Sequence, residues 1–172
     1  GRGKVRGVEA ELTVNPLQRL TLAASYAYQY VSIPAAINPY PNAAGVISTL
    51  AVPIHQTYTP EHSASGSIDY ELPLNGFTIR AHIDGNYDGG YYSSATDPVY
   101  VGPGSAANIF QPKTDKAFVV NSRVAVADIA MGNSTGAMMT VAIWARNLLN
   151  EQHLFYKSLS PTSGSSGFFN EP

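Results

Sequence analysis

Arg80, His82 and Asp84 occupy alternate positions of the run FTIRAHIDGNYD, residues 77–88. A guanidinium, an imidazole and a carboxylate in one row could bind an anion or ligate a metal. Alternate side chains of a strand stand roughly 7 Å apart, so a metal site would need ligands converging from other strands. The favoured reading is a cross-strand ionic network in which Arg80 pairs with Asp69 or Glu71, and no metal is expected. Two further motifs imitate catalytic signatures. GNSTG at 132–136 has the Gly-x-Ser-x-Gly pattern of a nucleophile elbow, with Glu151 and His153 following in hydrolase-like order. That elbow requires a helix after the serine, whereas Met138 onward alternates like a strand, so Ser134 reads as part of a hairpin turn. GPGSAA at 102–107 imitates a dinucleotide fingerprint, but Pro112 follows closely and no helical pattern opens after it. No enzyme activity and no cofactor are expected.

Strands must position these groups. Period-two alternation marks six segments, near residues 6–14, 20–30, 62–72, 77–88, 117–128 and 138–147, and long helical periodicity marks none. In the second, Leu20, Leu22, Ala24, Tyr26, Tyr28 and Tyr30 oppose Thr21, Ala23, Ser25, Ala27 and Gln29. In the fourth, Phe77, Ile79, Ala81, Ile83, Gly85 and Tyr87 oppose Thr78, Arg80, His82, Asp84, Asn86 and Asp88. The ionisable groups fall on a single parity throughout: Glu9, Glu11, Asp69, Glu71, Arg80, His82, Asp84, Arg123 and Arg146. The other parity is nearly free of charge. A soluble sheet would bury that apolar face, whereas a membrane barrel would turn it to lipid and keep the polar face for its interior.

The connections decide between these. Short turns around NPLQR, PLN and GNSTG alternate with long links at 31–61, 89–116 and 151–172, where compact domains use a handful of residues. In an up-and-down sheet this places every short turn at one end and every long loop at the other, as in barrels with short periplasmic turns and long extracellular loops. Segments such as Leu20 to Tyr30 also reach the roughly 9 to 11 residues a membrane-crossing strand needs. Tyr26, Tyr28, Tyr30 and Tyr87 cluster toward the long-loop end, where an aromatic girdle would sit.

Composition agrees. Charged residues make up 13% of the chain, beside 11 Tyr, 15 Gly and 12 Pro, about half the usual quarter of charge. A net charge of -2 with no basic run excludes a phosphate-backbone partner, so no nucleic acid is expected. The absence of cysteine removes disulfides, thiolate metal sites and cysteine nucleophiles together. The most apolar loop stretch, Ala43 to Ile54, is short and broken by Ser48, Thr49 and Pro53. No helix spans a membrane, and a membrane protein of this sequence must cross it as a closed sheet. The expected fold is therefore all-β, an antiparallel up-and-down transmembrane β-barrel of which about six strands are present.

Three stretches resemble the C-terminal barrel region of bacterial TonB-dependent outer-membrane receptors. GVEAELTVNPLQRLTLAASYAY, from Gly7, resembles a recurring hairpin in which a strand with two glutamates turns at Asn-Pro into a strand ending Ser-Tyr-x-Tyr. VAIWARNLLNEQH resembles the near-terminal strand with its Asn-Leu-x-Asn/Asp element, here Asn147, Leu148, Leu149 and Asn150. GFFNEP resembles the segment leading into the last strand. The resemblance implies a barrel of about 22 strands with a plugged lumen, in the outer membrane of a Gram-negative bacterium. It also implies energy from the TonB complex and uptake of a scarce nutrient such as a siderophore–iron complex, haem, cobalamin or an oligosaccharide. Plug domain, TonB box and a final aromatic-ended strand are not found in these residues. The expectation is thus a fragment, 1–172, of the C-terminal part of the barrel, whose partners are membrane lipid, its own plug, TonB and a small-molecule ligand.

Within that reading the single-parity ionisable groups face the lumen and contact the plug, and Arg80 is expected to matter for plug seating. Tyr40, His55, Tyr91, Tyr92 and His153 are the ligand-loop candidates. Tyr91 and Tyr92, after Gly89 and Gly90, would stack on a sugar or siderophore ring or extend the girdle, the latter being favoured. A passive porin-like channel and a soluble β-sandwich carbohydrate-binding module remain as alternatives.

Overall fold

The computed structural model describes residues 2–37, 45–47, 49, 51–97, 99–100, 108–109, 111–132, 136–159 and 166–170. Its strands are β1 (Lys4–Leu17), β2 (Leu20–Ile37), β3 (Ala51–Ile54), β4 (His62–Leu74), β5 (Phe77–Asp88), β6 (Val99–Tyr100), β7 (Asn108–Ile109), β8 (Ala117–Ala130), β9 (Met138–Ala145), β10 (Leu154–Leu159) and β11 (Ser166–Asn170). One sheet runs in the order β1-β2-β4-β5-β8-β9, antiparallel throughout, with β3 added beside β2. The pairs β6–β7 and β10–β11 are separate two-stranded ribbons. Among the described residues there is no helix and the sheet does not close: the architecture is a partial up-and-down barrel wall.

Register explains why one face is continuous. Val8, Tyr28 and His62 face each other across β1, β2 and β4; Leu22, Ile68 and Ile83 do so across β2, β4 and β5; Ala81, Val124 and Ile143 across β5, β8 and β9. Side chains alternate across a strand, so in-register pairing carries the apolar parity of each segment into a single apolar surface. That surface has no core behind it. Among the described residues the only buried apolar side chains are Pro112 in a long link and Ala117, Ala125 and Ala127 of β8, while Leu12 is 60% exposed and Ile143 is 78% exposed. A face this apolar, with nothing packed across it, needs an apolar solvent.

The tight ends differ in detail from the expected turns. Asn15 and Pro16 stay within β1, at the register shift between Val14 and Leu17, and the reversal is made by Gln18 and Arg19, with Arg19 at φ 67°. A proline is tolerated at such an irregularity because no ladder donor is required there. The second turn is Asn75-Gly76 rather than Pro-Leu-Asn: Leu74 pairs with Phe77 and Gly76 has φ 91°, the two-residue Asn-Gly hairpin whose positive φ matches strand twist. Ser134 lies outside the described residues; the segment that follows it is strand β9, beginning at Met138.

The long links also carry structure. β2 continues past Tyr30 to Ile37 because β3 pairs with it there, with Pro34 inside the shift between Ile33 and Ala36. β6, β7, β10 and β11 fall in the other two links. Period-two alternation stops at Tyr30 because these outer segments do not separate an apolar surface from a wet one. β9, conversely, ends at Ala145, since Asn147 turns the chain at φ 49°.

Candidate functional site: the polar wall and its rim

On the polar face, register brings Thr21, Asp69, His82, Arg123 and Trp144 into one row across β2, β4, β5, β8 and β9, with Glu71, Arg80 and Ala125 in the next. His82 Nδ1 lies 2.6 Å from Asp69 Oδ1, and Nε2 lies 3.2 Å from Asp84 Oδ1. The second oxygen of Asp84 accepts from Asn86 Nδ2 at 3.1 Å and from Asn121 Nδ2 at 2.8 Å. Arg80 donates through Nε to Glu71 Oε1 at 3.1 Å and through Nη2 to Asp128 Oδ2 at 3.0 Å. Arg80 therefore pairs with Glu71, and it is Asp69 that takes His82. These pairs are half-exposed, so each contributes no more than about 1 kcal/mol; what they fix is the relative position of three strands.

The flanks of the wall are different. Glu9 and Glu11 on β1 line a recess of about 620 Å³ with Ser25, Asn86, Asp88 and His153, and among the described residues neither glutamate has an ion-pair partner. Arg123 and Arg146, on the opposite flank, have none either. Arg146 lies over the ring of Trp144, 5.5 Å from its centroid, and Trp144 is 66% exposed. The wall is thus acidic at β1, internally neutralised at its centre and basic at β8–β9. His153 lies in a loop, between β9 and β10, and borders the same recess.

At the long-loop end the chain builds a compact rim. The His55 ring stacks on Tyr92 with centroids 3.7 Å apart and planes 1° from parallel, and Asp97 Oδ1 holds His55 Nε2 at 2.8 Å. Lys113 Nζ sits 5.6 Å from the Tyr92 centroid. The Tyr91 hydroxyl donates to the Phe155 carbonyl at 3.1 Å, and Tyr58 packs against both Tyr91 and Phe155. Ser93 Oγ bonds the carbonyls of Pro112 and Lys157 at 3.0 and 2.9 Å, tying the 89–116 and 151–172 links together. His55, Tyr91 and Tyr92 are therefore brought into one cluster, from which His153 stands apart; Tyr40 lies outside the described residues. On the apolar face below, the Tyr26 hydroxyl is 2.8 Å from His62 Nδ1, and Tyr28 packs on the same ring at 5.0 Å.

Gly90 makes the rim fold. It has φ 80°, its amide donates to Asp88 Oδ1 at 2.7 Å, and a Cβ there would stand 2.6 Å from the Thr114 carbonyl oxygen. Gly90→Ala is expected to cost about 1–3 kcal/mol locally and to break the reciprocal bonds between Tyr91 and Thr114 without unfolding the wall. Trypsin cleavage at Lys113 and Lys116 on whole cells should rise several-fold while the folded gel mobility of the barrel is retained; unchanged cleavage would show that the rim does not depend on this approach.

The Asn-Leu-Leu-Asn element proves to be a turn lock. Asn147 Nδ2 donates to the Glu151 carbonyl at 2.8 Å, its Oδ1 accepts from the Glu151 amide at 2.7 Å, and its own amide donates to Asn121 Oδ1 at 3.1 Å. Leu148 N donates to the Val120 carbonyl at 2.7 Å, and the Asn150 amide to the Asn147 carbonyl at 2.9 Å. Leu148 and Leu149 are exposed. Sequence reasoning missed Asp128, Asn121, Trp144 and Lys113. Trp144 was signalled by its parity, shared with Arg146. Asp128 was not, because it reaches Arg80 from the register shift between Val126 and Ile129, with φ 60°.

The family model described as TonB dependent receptor-like, beta-barrel, matches residues 1–148. No curated protein and no solved structure matches the chain. The match covers all six long strands, through Leu148 of the turn lock, and the matched family is one of outer-membrane receptors and transporters, not of enzymes. A sheet face nearly free of charge with no core behind it, an opposite face with ion pairs at its centre and tight turns confined to one end are what such a wall requires, and the chain belongs to the TonB-dependent receptor-like β-barrel family.

Proposed function

We propose that this chain supplies lumen wall and ligand-capturing rim to an outer-membrane receptor that imports a scarce nutrient with energy from TonB, its polar face seating a plug domain. The observation that carries this reading is the distribution of charge on the polar face. Arg80 is paired with Glu71 and Asp128, and His82 with Asp69 and Asp84, whereas among the described residues Glu9 and Glu11 on one flank and Arg123 and Arg146 on the other offer unpaired charge to a partner inside the lumen. The residues that hold the plug are then the flanking ones, with Arg80 acting through the stiffness of the wall.

Charge reversal separates these roles. The whole receptor carrying Arg123→Glu and Arg146→Glu is expected to insert normally, judged by heat-modifiable gel mobility, yet to conduct in planar bilayers and to admit vancomycin at several-fold lower doses. Arg80→Ala should leak less than the double variant. Unchanged exclusion in the double variant would overturn the plug-seating role, and ligand uptake that persists in cells lacking TonB would replace active import with passive permeation.

A further inference from the structure

The rim forms a half-open cavity of about 230 Å³ lined by residues that include Gln29, His55, Gln56, Glu61, Tyr92 and Lys113. Gln29 has the parity of Ser25 and Ala27, and its amide donates to the Glu61 carbonyl at 2.9 Å, so the floor of the cavity belongs to the polar face. We infer that this cavity is a binding site for a single neutral sugar ring, the terminal unit of an oligosaccharide; the inference rests on the receptor reading above and names its ligand class.

Size comes first. At about 230 Å³ the cavity falls below the roughly 300–1,000 Å³ of sites for drug-sized molecules. One saturated ring is of this size. Chemistry comes second. Among the described residues, the side chains of Gln29, Gln56 and Glu61 have no hydrogen-bond or ion-pair partner, and the Lys113 ammonium has only the Tyr92 ring. Two amides, one carboxylate and one ammonium supply donors and acceptors in mixture, which is what adjacent hydroxyls that both donate and accept require. Glu61 and Lys113 cancel in charge, so the site does not select an anion. The third feature is the wall. Sugars present an apolar C–H face to aromatic rings, and here the rings are fixed before any ligand arrives: His55 is clamped by Asp97 and stacked on Tyr92, and β3 is pinned by the His55 amide to the Ala95 carbonyl at 2.8 Å. A pre-ordered wall lowers the entropic cost of binding.

The test uses the whole receptor, folded in detergent, on a printed array of neutral oligosaccharides, with haemin, a ferric tris-catechol chelate and dialanine as soluble comparators. Retention on at least one glycan is expected, weakened at least tenfold by Tyr92→Ala and by Gln56→Ala. Gln56 is exposed and makes no contact that folding requires, so its variant keeps the test meaningful if Tyr92→Ala disturbs the rim. No retained glycan, equal retention by both variants, or displacement by dialanine would overturn the sugar assignment. Binding of haemin or the iron chelate in place of any glycan would reject the ligand class while leaving the receptor reading intact. That reading fails separately, on the leak and TonB-dependence measurements, whatever the array shows.

Discussion

Placing an arginine at Ile83 is expected to cost about 2–4 kcal/mol of folding free energy in a bilayer, the depth-dependent cost of a cation on the lipid side of a barrel strand. Ile83 lies midway along β5, between Ile68 and Ser122 in register, on the face that has no packed layer across it. In a soluble sandwich the same residue would sit in a core, and Ile83→Arg would cost soluble protein rather than membrane assembly. The control is Ser67→Arg on β4, whose position opposes Asp84 on the polar face; a cation there gains a carboxylate neighbour and water, and its cost should stay below about 1 kcal/mol. Urea titration of the receptor folded into lipid vesicles measures both. Equal costs for the two variants would mean that the faces are not divided between lipid and lumen.

Asn147→Ala is expected to be comparably damaging. It removes both side-chain bonds to the Glu151 backbone, each contributing about 0.5–1.5 kcal/mol. It also leaves an alanine in a left-handed conformation that costs roughly 1–2 kcal/mol, about 2–5 kcal/mol in all. The chain leaving β9 would lose the reversal that sends it to β10 and to the rim contacts of Phe155 and Lys157 with Tyr91 and Ser93. Asn147→Asp keeps the acceptor for the Glu151 amide and loses the donor to its carbonyl, so it should forfeit about half as much. Vesicle unfolding midpoints in the order wild type, Asn147→Asp, Asn147→Ala check the lock; identical midpoints would reduce the Asn-Leu-Leu-Asn element to a solvated turn.

The sheet was legible because its signal is periodic and redundant. Each long strand repeats the same parity rule, so Leu22, Ile68, Ile83 and Val124 announce a face without any knowledge of which strand neighbours which, and tight turns fix neighbours as sequential. The Asn75-Gly76 turn was equally present in the letters but was overshadowed by the preceding Pro-Leu-Asn. The polar face was legible as a face and not as a set of pairs: whether Arg80 meets Asp69 or Glu71 depends on a register that shifts by no visible sequence mark. Asp128 joins Arg80 only because β8 is irregular between Val126 and Ile129. The rim was least legible. His55 and Tyr92 stand far apart in the chain, and their stacking follows from β3 adding to β2 and from Gly90 admitting the 111–116 segment, neither of which is encoded by a period.

The central claim is that odd-numbered residues of β5 meet lipid and even-numbered ones meet the water-filled side. The chain has no cysteine, so single cysteines introduced in turn at positions 79 to 86 of the whole receptor can each carry a nitroxide label without background. The account predicts that in vesicles the labels at 79, 81, 83 and 85 collide with dissolved oxygen and escape a water-soluble nickel chelate, and that labels at 80, 82, 84 and 86 show the reverse or are shielded by the plug. Odd positions shielded from both probes would indicate a packed protein core on that side, and would contradict the assignment of this sheet to a membrane wall.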